Sequence, residues 1–224
     1  MTPPTAEHVT SSAIHTSGAG AVGGGVKRAF DVVVAAVALL GLAPLMILVA
    51  IAIKLTMGGP VIFAHRRVGH NGAVFNCLKF RTMVRDSEEF LLRYLSTHPE
   101  AAHEWATTRK LRDDPRITAL GSILRRSSLD ELPQFFNVLR GEMSCVGPRP
   151  VVPDELKLYG AGSAEYLRAR PGVTGEWQVN GRSDTSYAER VALDCKYVRE
   201  WSLRNDIIIL LKTIPVAIAS KGSC

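Results

Sequence analysis

Between Val32 and Ile53 the chain runs for 22 residues without a charged side chain. As a helix this run measures roughly 33 Å at about 1.5 Å per residue, enough to cross the apolar interior of a bilayer. A helix with no polar face is an unusual core element for a small domain. A signal peptide fits poorly too: the run is too long and starts too late, and no small-residue cleavage pattern follows it. The first constraint is therefore membrane insertion. In a chain of 224 residues, that leaves room for one domain of ordinary size beside the anchor.

The middle and the flanks of the run bear on its topology. Pro44 has no N–H and crowds the carbonyl of Leu40, so the helix is expected to kink or break there. Lys27 and Arg28 precede the run, and Lys54 and His65-Arg66-Arg67 follow it. Basic flanks favour the cytoplasmic side, and a straight span cannot satisfy both ends. A re-entrant helix that enters and leaves by one leaflet can. The alternative is a single kinked span, since proline is tolerated in spanning helices. The division expected is a disordered, Gly-rich tail over residues 1–26, a membrane anchor over 27–58 broken at Pro44, and a catalytic domain over 59–224.

The formal charge of +6 and pI near 9.3 suit an anionic membrane, a phosphorylated substrate or nucleic acid. The last is set aside, because no nucleic-acid motif is present and aromatics make up only 7% of the chain. Cys77, Cys145, Cys195 and Cys224 form no C-x-x-C pair, and the six histidines lack zinc-ligand spacing. No transition-metal centre is expected, and the thiols are read as reduced.

Beyond the anchor, 61–63 and 73–78 read as short strands around a Gly69–Gly72 turn. Helices are expected over 86–112 with a break near Pro99, over 128–139, 155–158 and 186–201. The apolar stretch 207–219 is too short to span and suits a core or interfacial position.

Four clusters carry potential chemistry. In Arg125-Arg126-Ser127-Ser128-Leu129-Asp130-Glu131-Leu132-Pro133-Gln134, two arginines precede two carboxylates, and Pro133 places Asp130 near a helix N-terminus that favours negative charge. Asp130 can equally be a simple helix cap. Lys79-Phe80-Arg81-Thr82-Met83 offers two cations on one strand face for a diphosphate, or else guards an exposed edge. Val146-Gly147-Pro148-Arg149-Pro150 fixes the direction of Arg149 by a rigid turn. Arg170-Pro171-Gly172-Val173-Thr174-Gly175 and Gln178-Val179-Asn180-Gly181-Arg182 are Gly-rich turns that can wrap an anion.

In this order behind an apolar anchor, K-F-R-T-M, S-L-D-E-L-P-Q, V-G-P-R-P and R-P-G-V-T-G resemble the bacterial sugar transferase family of small monotopic phosphoglycosyl transferases. The resemblance runs from about Lys27 to the C-terminus. The pattern looks most like members that start exopolysaccharide repeats with galactose or glucose. Cys145, Glu142 and Glu176 depart mildly from the common family wording.

The resemblance implies an α+β, mainly helical fold: a re-entrant membrane helix and a small cytoplasmic catalytic domain with a short β-hairpin. It implies transfer of hexose-1-phosphate from a UDP-sugar to polyprenyl phosphate at the cytoplasmic face of the inner membrane, in contact with membrane lipid. A homodimer is compatible with it. Asp130 is implied as nucleophile and Glu131 as a ligand for Mg²⁺. Lys79, Arg81, Arg125, Arg149, Arg170 and Arg182 are implied as phosphate-holding cations. The rival is a non-catalytic membrane adaptor with a basic face, for which Asp130 and Glu131 would be dispensable.

Overall fold

A computed structural model describes residues 20–108, 110–180 and 185–218 of the chain. Helix α1 spans Gly24–Met57. It starts at Gly24, inside the stretch read as a tail, and Val22 N–H bonds the carbonyl of Arg168 at 3.0 Å. The helix runs continuously with Pro44 inside it. It stops at Gly58-Gly59, whose φ angles of 58° and 61° are left-handed and suit glycine.

Both ends of α1 pack on the same domain. Lys27, Asp31 and Ala35 are buried at one end, Val49 and Ile53 at the other, and no residue between Ala35 and Val49 is buried. The spacing of four within each set puts it on one helix face. Leu40, 79% exposed, marks the middle of the unpacked stretch.

The basic residues before the apolar run are therefore not free flanks. Lys27 Nζ lies 2.7 Å from Asp206 Oδ2 and 3.8 Å from Asp31 Oδ1. Asp206 also accepts from Tyr197 Oη (2.7 Å) and Trp201 Nε1 (3.0 Å), and Asp31 accepts from Cys145 N–H (3.0 Å). Arg28 donates to the carbonyls of Val138 and Leu139. Sequence reading missed this network because its members lie up to 179 residues apart.

Strands β1 (Ile62–Val68) and β2 (Val74–Phe80) form an antiparallel hairpin with Ile62 opposite Phe80 and Val68 opposite Val74. Helices α2 (Ser87–Thr97) and α3 (Pro99–Thr108) divide at Pro99, as expected. Helix α4 (Ala119–Arg126) is capped by Thr118, whose hydroxyl accepts from Gly121 N–H at 2.9 Å. A Cβ on Gly121 would lie 1.9 Å from the Thr82 carbonyl oxygen, so only glycine lets α4 lie against that segment. After α5 (Gln134–Arg140), the short strand β3 (Ser144–Val146) pairs in parallel with β4 (Gly172–Thr174). Between these strands lie α6 (Pro153–Lys157) and α7 (Ser163–Leu167); α8 (Glu176–Asn180), α9 (Tyr187–Arg199) and α10 (Leu203–Ile218) follow.

The core sits where α1, β2, α5, β3 and α9 meet, around Ala35, Cys77, Val138, Val146, Tyr197 and Ile209. A second cluster joins Val49 and Ile53 of α1 to Phe80 and Leu124. Asn137, fully buried, ties α5 to β2. Its Oδ1 accepts from Leu78 N–H (3.0 Å), and its Nδ2 donates to the Asn76 carbonyl (2.8 Å) and Glu142 Oε2 (2.6 Å). This amide fixes the turn before α5 relative to the end of β2. The fold is mainly helical with a short β-hairpin and one long apolar N-terminal helix.

Candidate active site

Asp130 and Glu131 lie in a 3-10 turn, Leu129–Glu131, and not at the cap of a helix. Ser128, at φ 56°, opens this turn, and Pro133 itself takes the cap position of α5. The single helix expected over 128–139 is thus split. Asp130 therefore does not owe an ionised form to a helix cap.

The opposite electrostatics is found. Asp130 is 7% exposed. Burial pushes its carboxyl up to about 6, against the pull of Lys79 and Arg125 and with the neighbouring Glu131 charge adding to the rise. Burial also works against the Glu131 anion. There, however, the Lys79 charge and hydrogen bond, with Arg149 and Arg67, outweigh it and hold the carboxyl below its usual range. Adjacent carboxyls are thereby separated in acidity, as acid–base and nucleophilic sites require.

Lys79, at the end of β2, joins the two. Its Nζ lies 2.5 Å from Glu131 Oε1 and 3.8 Å from Asp130 Oδ2. Burial lowers the tendency of its ammonium to stay charged, but both carboxylates together raise it above the ordinary lysine value. Arg125, the penultimate residue of α4, donates from Nε to Thr82 Oγ1 at 2.9 Å and lends its charge to Asp130.

Arg149 stands on the Glu131 side. Its backbone N–H bonds Asp194 Oδ2 at 3.3 Å, and Asp194 also accepts from Tyr159 Oη at 2.8 Å. The Arg149 guanidinium lies 5.4 Å from the centre of the Trp177 ring, which also carries Arg190 at 4.8 Å. Trp177 is buried, and its indole N–H has no partner among the described residues. Arg67 completes the cationic rim, with Nη1 donating to the Pro150 carbonyl (3.2 Å) and lying 3.7 Å from Glu155 Oε2.

Five of the residues singled out in the sequence therefore meet: Lys79, Arg125, Asp130, Glu131 and Arg149. Arg81 does not join them. Strand β2 ends at Phe80, so the same-face relation of Lys79 and Arg81 is lost, and the Arg81 guanidinium bonds the Met57 and Gly58 carbonyls at the end of α1. Arg170 is also elsewhere, with Nε on the Gly141 carbonyl at 2.8 Å. Arg182 lies outside the described residues. Pro44 sits within α1, far along the chain from every charged residue of the site. Trp177, Asp194 and Arg67 were missed. The one available signal was a tryptophan between two Gly-rich turns, at Glu176-Trp177-Gln178.

Among the described residues no group of three or more His, Cys, Asp or Glu side chains converges as a metal cage. Mg²⁺ does not need one, since it is usually held by one or two carboxylates together with substrate phosphates and water. Glu131 fits that donor set: its side chain is 34% exposed, and its Oε2 makes no protein hydrogen bond among the described residues.

The Bacterial sugar transferase family model matches residues 22–220. The chain belongs to that family. The sequence resemblance is thereby borne out over nearly the whole chain. An exopolysaccharide production protein, ExoY, of Sinorhizobium fredii is 55% identical over 202 residues, 90% of this chain and 89% of the relative. The undecaprenyl-phosphate galactose phosphotransferase of Salmonella typhimurium is 50% identical over 199 residues, 88% of this chain but 41% of that longer protein. A UDP-glucose:undecaprenyl-phosphate glucose-1-phosphate transferase of Caulobacter vibrioides is 43% identical over 84% of this chain and 68% of its own length.

Proposed function

We propose that this protein transfers hexose-1-phosphate from UDP-galactose or UDP-glucose to a polyprenyl phosphate, releasing UMP, as the first membrane step of exopolysaccharide assembly. The observation that carries the reading is the Asp130–Glu131 pair, divided in acidity and bridged by Lys79, on a domain that grips both ends of an apolar helix.

In this reading Asp130 is the nucleophile. With its carboxyl near 6, ionised Asp130 outnumbers the neutral form by roughly ten to one at pH 7, yet it stays poorly solvated. One Asp130 oxygen attacks the sugar-linked phosphorus of the donor. The phosphoanhydride bond breaks, and its bridging oxygen leaves with UMP. A phosphate oxygen of the lipid then attacks the same phosphorus. The bond to Asp130 breaks, the carboxylate is regenerated and a polyprenyl diphosphosugar is formed. Lys79, Arg125 and Arg149 stabilise the charge on the transferring group. Mg²⁺, held through Glu131 and the donor phosphates, would supply charge neutralisation between the carboxylate and the diphosphate.

The packing of α1 supports a re-entrant anchor with the domain on one side of the membrane. Residues 36–48, the stretch between its two buried ends, cover only about 20 Å, short of the ~30 Å hydrocarbon core. A straight crossing would have to tear one end from the domain. The exposed Ile207, Ile208, Leu211 and Ile214 of α10 suit a domain resting on the lipid interface. The basic balance of the chain favours the cytoplasmic leaflet.

The test is direct. The detergent-extracted protein is given each UDP-hexose with polyprenyl phosphate and assayed for UMP, and the adduct formed with donor alone is mapped by mass spectrometry. A phosphohexose on Asp130 is expected. An adduct on another residue, or full turnover by Asp130→Asn, would overturn the assignment.

A further inference from the structure

The end of α1 meets the start of α4 in a groove of about 560 Å³, lined by Met57, Val84, Arg85, Thr118, Ala119 and Leu120. That volume is within the ~300–1,000 Å³ of small-molecule sites, and its walls are mostly apolar side chains. It lies at the end of the apolar helix, whose last two residues, Thr56 and Met57, line it.

A cluster of cations sits at the same corner. The Arg81 Nη2 satisfies the last carbonyls of α1, which a helix end leaves without partners. Among the described residues its Nε and Nη1, closed off from solvent in a side chain more than nine-tenths buried, have no hydrogen-bond partner. A Cβ on Gly59 would lie 2.9 Å from Arg81 Nη1 and 3.2 Å from Arg85 Nε, so both arginines converge on that backbone. Lys54 Nζ reaches the Gly59 carbonyl at 3.3 Å. Among the described residues no carboxylate pairs with Lys54, Arg81 or Arg85.

Helix α4 connects this corner to the chemistry. Ala119 at its start lines the groove, and Arg125, six residues on, faces Asp130. The rise between them is about 9 Å.

We propose that this groove receives the isoprenoid chain of the polyprenyl phosphate acceptor, with Arg81 and Arg85 drawing its phosphate in toward Arg125 and Asp130. The inference rests on the acceptor named under the proposed function. A phosphate monoester, carrying about −1.5 to −2 charge at pH 7, matches three cations without a carboxylate partner among the described residues better than a zwitterionic lipid headgroup does. The apolar walls match the tail, and the groove adjoins the helix that would lie in the same lipid.

The test fills the groove. Ala119 is exposed on its wall, so Ala119→Trp projects a large side chain into the space without disturbing the core. Donor-dependent adduct formation on the full-length protein reports whether the variant is folded. With polyprenyl phosphate as acceptor, the KM of Ala119→Trp should rise at least about tenfold, as expected when a few tens of Å² of apolar contact are lost. With methyl phosphate, which has no tail, parent and variant should resolve the adduct at equal rates. An unchanged KM for polyprenyl phosphate in a variant that forms adduct would overturn the inference. So would an equal loss with methyl phosphate, or a loss of binding to phospholipid vesicles with the acceptor KM intact, which would assign the groove to bulk lipid. Failure of the parent to form any adduct would instead strike the proposed function itself.

Discussion

Replacing Asp130, the proposed nucleophile, should make the protein more stable. Asp130 carries a charge that its surroundings resist: burial lifts its carboxyl from an ordinary 3.8 to about 6 despite Lys79 and Arg125. The sign follows from proton binding. Between those two values the folded chain holds a proton that the unfolded chain releases, so stability falls as pH rises through this window. The full cost of the ionised form is about 3 kcal/mol by pH 8, and about half of that remains at pH 5. Asp130→Asn removes the charge while keeping the shape, and Lys79 keeps its shorter contact to Glu131. Allowing for the weaker contact that asparagine makes to Lys79, a gain of about 1–3 kcal/mol is expected at pH 8. For a domain of this size that is roughly 2–10 °C in Tm. The assay is thermal unfolding in detergent at pH 8, 7, 6 and 5, followed by tryptophan fluorescence, with UMP release measured in parallel. The variant should be inactive and more stable, and its advantage should shrink toward pH 5. A lower Tm than the parent at pH 8, or an advantage independent of pH, would refute the reasoning.

Trp177→Leu should raise the KM for the UDP-sugar about 2- to 30-fold by releasing Arg149 from the ring, with Trp177→Phe intermediate; a steady-state series in donor concentration measures this. Lys27→Met leaves Asp206 and Asp31 buried without their cation, and a loss of about 3–5 kcal/mol in detergent unfolding is expected. Excess chelator should abolish turnover and added Mg²⁺ restore it, since a single protein carboxylate and two phosphates need a hard cation between them. Pro44→Ala should move part of the population toward a full span, scored by reaction of a cysteine placed before α1 with an impermeant thiol reagent in intact cells.

Some of this architecture was legible in the sequence because it is encoded locally. The long apolar helix follows from the uncharged run after Asp31, the hairpin from Gly69 and Gly72 between apolar runs, and the α2–α3 break from Pro99. The carboxylate pair was legible because Asp130 and Glu131 are neighbours. What failed depended on where strands stop and on long-range burial. Arg81 follows Lys79 by two, but one residue past the end of β2 the alternation of faces no longer applies. Asp130 was placed at or near a helix N-terminus, whereas it lies in a buried turn beside Lys79 and feels the charge of Arg125. Lys27 was read as a basic flank of the apolar run, because nothing near it in sequence announces Asp206. Arg170 sits in a Gly-rich turn that resembles an anion cradle, yet its guanidinium braces the Gly141 carbonyl.

The latch between Lys27 and Asp206 also imposes an order of events on biosynthesis. The two residues are 179 positions apart, and at about 5–20 residues per second a ribosome needs roughly 10–40 s to go from one to the other. The apolar segment is finished at Ile53, early in that interval, whereas Tyr197, Trp201 and Asp206 are made only at its end. The lipid insertion proposed for α1 therefore begins before the clasp that later holds it can form. Pro44, the apolar run and the nearby charges bear on that first step, and the completed clasp then holds its outcome.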